Sequence, residues 1–134
     1  MTRLPDPEVA GHGPSVLVVD DDPDLQRWVA AVLEPNGCQV ACAADTPTGL
    51  MMVHSVKPDV IVLDVNLPGG GGKVFLERLR KLAGFQHTPV LILSAEISTK
   101  VAISLQPFEV AAMLEKPANA RLFIQAVLQA ARSP

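Results

Sequence analysis

The stretch from Pro58 to Pro68 constrains the fold of this chain more than any other. Four consecutive aliphatic residues, Val60–Leu63, stand between prolines and are followed directly by Asp64. A short, wholly apolar run predicts a strand that is buried on both faces, as in parallel sheets covered by helices. Open α/β sheets bind their ligands at the carboxyl ends of the strands. A lone acid at that position also fits a helix cap or a solvated strand end, so the other elements must decide its role.

Strands and helices alternate along most of the remaining chain. Apolar runs predict four further strands, at Val16–Val19, Cys38–Cys42, Pro89–Leu93 and Val110–Leu114. Helical spacing of apolar residues predicts a helix after each strand, marked in turn by Leu25–Leu33, Leu50–Val53, Phe75–Ala83, Ile97–Leu105 and Phe123–Ala131. Asp22 and Asp45 are placed to cap the first two helices. Short connections favour right-handed crossovers, which predicts a doubly wound five-stranded parallel sheet with five helices on two faces.

Along the third helix, Glu77, Arg78, Arg80 and Lys81 are predicted to lie on the outer face. Length and composition favour a single domain. We expect a flexible N-terminal leader over residues 1–14, the folded domain over 15–131 and a C-terminal tail over 132–134.

The net charge of −3 gives no sign of a nucleic-acid-binding surface. No apolar run reaches the roughly 18 residues of a membrane span, and no secretory signal is recognisable. Cys38 and Cys42 are too far apart along one strand to form a disulfide, which favours a reducing, cytoplasmic location.

Polar side chains follow four of the predicted strands, at the point where each strand ends. They are Asp20 and Asp21 after the first strand, Asp64 after the third, Ser94 after the fourth and Lys116 after the fifth. The carboxyl ends of parallel strands meet at one edge of a sheet, so these side chains are expected to converge. Three adjacent carboxylates repel one another unless a divalent cation or the Lys116 ammonium compensates. Hard oxygen ligands of this kind suit Mg²⁺.

In order and spacing, these segments resemble the receiver domain of two-component response regulators. The resemblance extends over about residues 15–131 and rests on Val18–Pro23, Asp64–Pro68 with Gly72, Leu93–Ala95 and Lys116–Pro117. The resemblance implies a flavodoxin-like strand order of 2-1-3-4-5. The pattern of strands and helices by itself does not determine this order.

The resemblance also implies roles for the residues at the sheet edge. Asp64 is expected to accept a phosphoryl group from a phosphohistidine on a sensor histidine kinase or a phosphotransfer protein. Mg²⁺ is expected to bind to Asp21, Asp64 and the backbone carbonyl of Asn66. Asp20 is expected to contact the ion through water or to position these ligands. Lys116 and the Ser94 hydroxyl are expected to contact the phosphoryl oxygens, and the bond from Lys116 to Pro117 is expected to be cis. Such a domain is not a classical enzyme, although it catalyses its own phosphorylation and dephosphorylation.

Three positions depart from the usual pattern of the family. Met113 stands where many receivers carry a switch aromatic, and Glu109 with Val110 replaces a small Gly-Ala pair. Residues 69–72 are all glycine, which predicts a mobile loop beside Asp64. Polar side chains at Asn66 and Glu96 lead us to expect loss of the phosphoryl group within minutes. These departures leave the output partner open and allow a monomer or a weak dimer.

Alternative functions remain at this stage. A pseudo-receiver would use the same fold for protein binding without phosphorylation. A haloacid-dehalogenase-type phosphatase needs a second acid two residues after the nucleophile, where this chain has Asn66. A flavodoxin would need phosphate-binding hydroxyls and amides after the first strand, where three acids stand. A phosphate-binding P-loop is excluded, because Gly72 and Lys73 are followed by Val74.

Overall fold

The computed structural model describes residues 13–132. Most of the predicted leader and residues 133–134 of the predicted tail therefore lie outside the described residues. Five parallel strands form one sheet: β1 Ser15–Val19, β2 Gln39–Ala43, β3 Val60–Leu63, β4 Val90–Ser94 and β5 Ala112–Glu115. Their order is β2-β1-β3-β4-β5, which confirms the predicted flavodoxin-like topology.

Five helices cover the sheet: α1 Pro23–Leu33, α2 Thr46–Val56, α3 Gly71–Leu79, α4 Thr99–Leu105 and α5 Ala120–Ala131. Asp22 and Asp45 cap α1 and α2 as predicted, by accepting the N–H groups of Asp24 and Thr48. None of the helices in residues 13–132 is long and apolar enough to cross a membrane.

The hydrophobic core has two layers, one on each face of the sheet. Side chains of a strand alternate between the faces, so Val16 and Val18 pack beneath α1 and α5, whereas Leu17 and Val19 pack beneath α2 and α3. All the residues of β3 are fully buried or nearly so. The prediction of a doubly buried central strand is therefore confirmed, and this rigid strand carries Asp64 at its end.

The end of α3 differs from the prediction. The helix stops at Leu79 and does not continue to Ala83, because the chain tightens into short turns in which Leu82 donates its N–H to the carbonyl of Leu79. Arg80 was predicted on the outer face, but its guanidinium is half-buried. It donates to the carbonyls of Phe108, Phe85 and Thr88. These three hydrogen bonds lie at the edge of the sheet opposite the acids.

Smaller differences affect three other boundaries. β5 begins at Ala112 rather than at Val110, since Glu109 adopts a left-handed conformation that turns the chain into the strand. Ile97 precedes α4, which begins after the capping residue Ser98. Cys38 precedes β2. Both cysteines are free, as predicted.

Candidate functional site

The central strands place the acids of the site. β1 lies between β2 and β3 in the sheet. Asp20 follows β1 and Asp64 follows β3, and each still forms a backbone hydrogen bond to the adjacent strand. Asp20 donates its N–H to the carbonyl of Ala43 at 3.0 Å, and Asp64 donates its N–H to the carbonyl of Val19 at 3.0 Å. The backbone of both acids is therefore held in place at the edge of the sheet.

Three carboxylates meet at this edge. One oxygen each from Asp20, Asp21 and Asp64 lie within 4.8 Å of one another. Asp20 and Asp64 are buried, with 1% and 7% of their surface exposed, whereas Asp21 is exposed to solvent. Oxygen ligands at this separation, with one side open to water, have the chemistry of a site for a hard divalent cation.

Lys116 is the cation that the structure places against these acids. Its Nζ lies 2.8 Å from Oδ2 of Asp20 and 3.4 Å from Oδ2 of Asp64. The residue follows β5, where its N–H donates to the carbonyl of Ser94 at 2.8 Å. The peptide bond from Lys116 to Pro117 is cis, as the family resemblance implies. The ammonium thus partly neutralises a cluster that would otherwise repel itself.

Burial and pairing act on the two partners differently. Burial raises the pKa of Asp20, although the hydrogen bonds from Lys116 and from the N–H of Asp22 oppose that rise. Burial by itself lowers the pKa of Lys116, but its hydrogen bonds and charge interactions with Asp20 and Asp64 together outweigh this effect, and the pKa of Lys116 is raised. The carboxylate is the more deeply buried partner, so desolvation dominates there and the ion pair dominates at the lysine.

Ser94 and Asn66 complete the surroundings of Asp64. The Ser94 hydroxyl is fully buried and donates to Oδ1 of Asp64 at 2.9 Å. The backbone N–H of Asn66 donates to the same oxygen at 3.1 Å. Ser94 therefore already contacts the carboxylate. The predicted role of the Asn66 carbonyl as a metal ligand stays a prediction.

The glycine loop is attached to the start of α2. Thr46, which is fully buried, donates its N–H to the carbonyl of Pro68 at 3.2 Å, and a Cβ on Gly69 would lie 2.8 Å from Cδ of Pro47. No side chain caps α3, since Gly70 occupies the capping position. Whether the loop is mobile, as the glycines predict, stays a prediction.

Two residues beside the acids were not identified as site residues from sequence pattern. Gln26 of α1 donates its Nε2 to the backbone carbonyl of Asp20 at 2.6 Å. Trp28 lines a cavity of about 430 Å³ together with Lys116 and Pro117, and its ring lies 5.1 Å from that of Phe123. Trp28 fits the apolar stripe of α1, whereas a glutamine one turn after a cap resembles any surface residue.

Met113 departs from the family pattern, whereas Asn66 and Glu96 are the residues behind the expectation of rapid loss of the phosphoryl group. Met113 is half-buried on the face of the sheet that α2 and α3 cover, opposite Ile92 in the register of β4 with β5. Glu96 and Asn66 are exposed. Both of these polar side chains are therefore open to solvent.

Comparison with known proteins gives a consistent result. A model of the response regulator receiver domain matches residues 16–128. The sensor histidine kinase TmoS of Ectopseudomonas mendocina is 30% identical over 114 residues, which are 85% of this chain and 12% of TmoS. The KDP operon transcriptional regulatory protein KdpE of Escherichia coli is 38% identical over 90 residues, 66% of this chain and 39% of KdpE.

A solved structure, the chemotaxis protein CheY4 of Vibrio cholerae, superposes with a TM-score of 0.82 at 28% identity, covering 87% of this chain and 98% of that chain. The chain thus spans less than half the length of TmoS and of KdpE, but nearly all of CheY4.

Proposed function

The chain belongs to the response regulator receiver domain family, and from this premise we propose that Asp64 accepts a phosphoryl group from a phosphohistidine. The donor is a sensor histidine kinase or a histidine phosphotransfer protein. One observation carries the proposal: the buried carboxylate of Asp64 is contacted at once by the Ser94 hydroxyl and the Lys116 ammonium. Such a donor is made from ATP, so the proposal places the reaction in the cytoplasm.

The acid cluster suits a resident Mg²⁺. The donor set consists of carboxylate oxygens within 4.8 Å of one another, and the exposed Asp21 leaves room for waters and a phosphoryl oxygen. We assign the binding to Asp21, Asp64 and the carbonyl of Asn66, with Asp20 positioning the set. When bound, the cation neutralises charge on the phosphoryl oxygens during transfer.

Asp64 and Lys116 take part directly in the transfer of the phosphoryl group. An oxygen of Asp64 forms the new bond to phosphorus, the bond from phosphorus to the donor imidazole breaks, and the imidazole keeps the electron pair and takes up a proton. Lys116 then moves from the Asp64 carboxylate to the phosphoryl oxygens, a short shift because its Nζ is already 3.4 Å from Oδ2. Positioning and charge neutralisation are the main requirements of this chemistry.

The hydroxyl of Ser94 provides the link to a protein-binding surface. Phosphorylation of Asp64 removes the carboxylate that accepts the Ser94 hydrogen bond, so the hydroxyl turns to the phosphoryl group. This movement changes the shape of the adjoining surface formed by α4, β5 and α5. Met113 packs in the same apolar cluster as Val101 and Leu105 of α4, and its flexible side chain repacks as this surface changes. Exposed Ile103 of α4 and Leu122 of α5 offer apolar contacts to an output partner or a weakly bound second copy.

Phosphorylation with a small-molecule donor tests the proposal. Incubation with acetyl phosphate and Mg²⁺ should add one phosphoryl group, seen in the intact mass and removed by hydroxylamine. Asp64→Asn should abolish the addition, and Asp24→Asn, at an exposed acid of α1, should not. Labelled protein should lose the group within minutes in Mg²⁺.

Addition that survives Asp64→Asn would refute Asp64 as the acceptor. A folded wild-type protein that takes no phosphoryl group from either acetyl phosphate or a phosphorylated kinase would favour the pseudo-receiver.

A further inference from the structure

Gln26 is a polar, half-buried side chain of α1 that reaches back to the end of β1. Its Nε2 donates to the backbone carbonyl of Asp20 at 2.6 Å, while its own backbone N–H donates to the carbonyl of Asp22 at 3.1 Å. Asp20 stands one residue beyond the paired part of β1, which ends at Val19. Its carbonyl therefore needs a donor from outside the sheet, and the Gln26 amide provides one.

The carbonyl that Gln26 holds belongs to the peptide group between Asp20 and Asp21. A peptide group is planar, so fixing its oxygen also fixes the direction in which the chain enters Asp21. The Asp20 side chain is held separately, by the N–H of Asp22 at 2.9 Å and by Lys116 at 2.8 Å. Asp21 has no comparable restraint on its exposed side chain among the contacts of residues 13–132. The orientation of its backbone is what aims its carboxylate at Asp64.

We infer that Gln26 is a positioning residue that sets the affinity of the acid cluster for a divalent cation. This inference rests on the proposed function of the cluster. Without the Gln26 amide, the carbonyl of the peptide between Asp20 and Asp21 loses its hydrogen bond from Nε2, and cation binding must then order this peptide more than in the wild type. Losing a partner that orients a metal ligand lowers metal affinity by roughly tenfold or more. The transfer step itself does not involve Gln26, which contacts neither Asp64 nor Lys116 among the described hydrogen bonds.

Gln26→Met tests the inference, because methionine keeps the length of the side chain and removes the donor. Gln125→Met is the matched control, at an exposed glutamine of α5 away from the acids. Calorimetric titration with Mg²⁺ gives the affinity, and the rate of phosphorylation by acetyl phosphate is measured across Mg²⁺ concentrations. Thermal unfolding in EDTA reports whether each variant is folded.

We expect Gln26→Met to raise the half-saturating Mg²⁺ concentration roughly tenfold. The phosphorylation rate of Gln26→Met at saturating Mg²⁺ should equal that of the wild type. For Gln125→Met, both this rate and the half-saturating Mg²⁺ concentration should equal those of the wild type. Gln26→Ala, which cannot introduce a clash, should give the same rise if the methionine variant does not fold.

An unchanged half-saturating concentration in folded Gln26 variants overturns the inference, as does a reduced maximal rate with unchanged Mg²⁺ dependence. If instead the wild type binds no Mg²⁺, this result refutes the proposed function of the acid cluster. The inference about Gln26, which rests on that function, is then refuted as well. The two failures are therefore distinguishable.

Discussion

Replacing Gly72 by alanine should damage both the stability of the domain and the geometry of Asp64. Gly72 is the second residue of α3 and donates its N–H to the carbonyl of Val65 at 2.8 Å. A Cβ at this position would lie 2.7 Å from Cα of Val65 and 2.9 Å from the carbonyl oxygen of Asp64. Both are backbone atoms directly after β3, so neither can move aside as a flexible side chain would.

The size of the effect follows from two opposing terms. Alanine is favoured over glycine within a helix by up to about 1 kcal/mol. Forcing a carbon atom about 0.7 Å inside ordinary van der Waals contact with a packed backbone costs about 3 kcal/mol, the upper part of the range for overpacking. The clash outweighs the helical preference, and we expect a net loss of about 2 kcal/mol in the free energy of unfolding. The relief of the clash displaces Asp64.

Urea unfolding without metal measures the stability, and acetyl phosphate labelling with Mg²⁺ measures the site. Gly84→Ala is the control, because Gly84 has a φ of +89° with open space around its α-carbon and lies in the turn before β4. It should cost about 1 kcal/mol through backbone strain and leave labelling at the wild-type rate. Wild-type stability and labelling in Gly72→Ala would refute the steric argument.

Three further predictions concern contacts outside the glycine loop, and urea unfolding checks each of them. Lys116→Met should lower the free energy of unfolding at pH 7 by about 2 kcal/mol, less than for a fully buried pair because 20% of the lysine side chain is exposed. The folded-state pKa of Lys116 is raised above 10.5, so its stabilisation is complete below pH 10.5 and is lost as the pH rises through the folded-state value. The unfolding free energies of wild type and variant should therefore converge in alkali, and a constant gap would contradict this. Arg80→Met should cost about 2 kcal/mol, because three carbonyls lose their donor, whereas exposed Arg78→Met should be neutral. An equal effect at both arginines would show that charge rather than hydrogen bonding matters. Asn119→Ala should cost about 1 kcal/mol by removing the cap that accepts the N–H of Leu122 at 3.1 Å, and no change would mean that water replaces this cap.

Much of the fold was predictable from local pattern. The runs at Val16–Val19 and Val60–Leu63 are too short and too apolar to be anything but doubly buried strands, and the spacing between them leaves room for helical crossovers. The capping acids Asp22 and Asp45 act within three residues of the N–H groups they accept, so they could be assigned without knowledge of the tertiary structure.

Predictions failed where distant contacts override local preference. The apolar spacing around α3 continues to Leu82 and Ala83, yet the helix ends at Leu79. Arg80 looked like a surface residue by helical position, but the carbonyls of Thr88, just before β4, and Phe108, just before β5, draw its guanidinium inward. Nothing in a single helical pattern encodes partners that lie 28 residues further along the chain.

At Asp64, local sequence and tertiary structure supply different information. Sequence order places an acid, a hydroxyl and a lysine after successive strands, and because parallel strands end at one edge, their common location follows from the chain alone. Which atoms meet there is decided by strand order and register. Ser94 reaches Asp64 across 30 residues, and Lys116 reaches Asp20 across 96. Such contacts depend on ångström-scale distances between separate strands, and only the assembled sheet sets those distances.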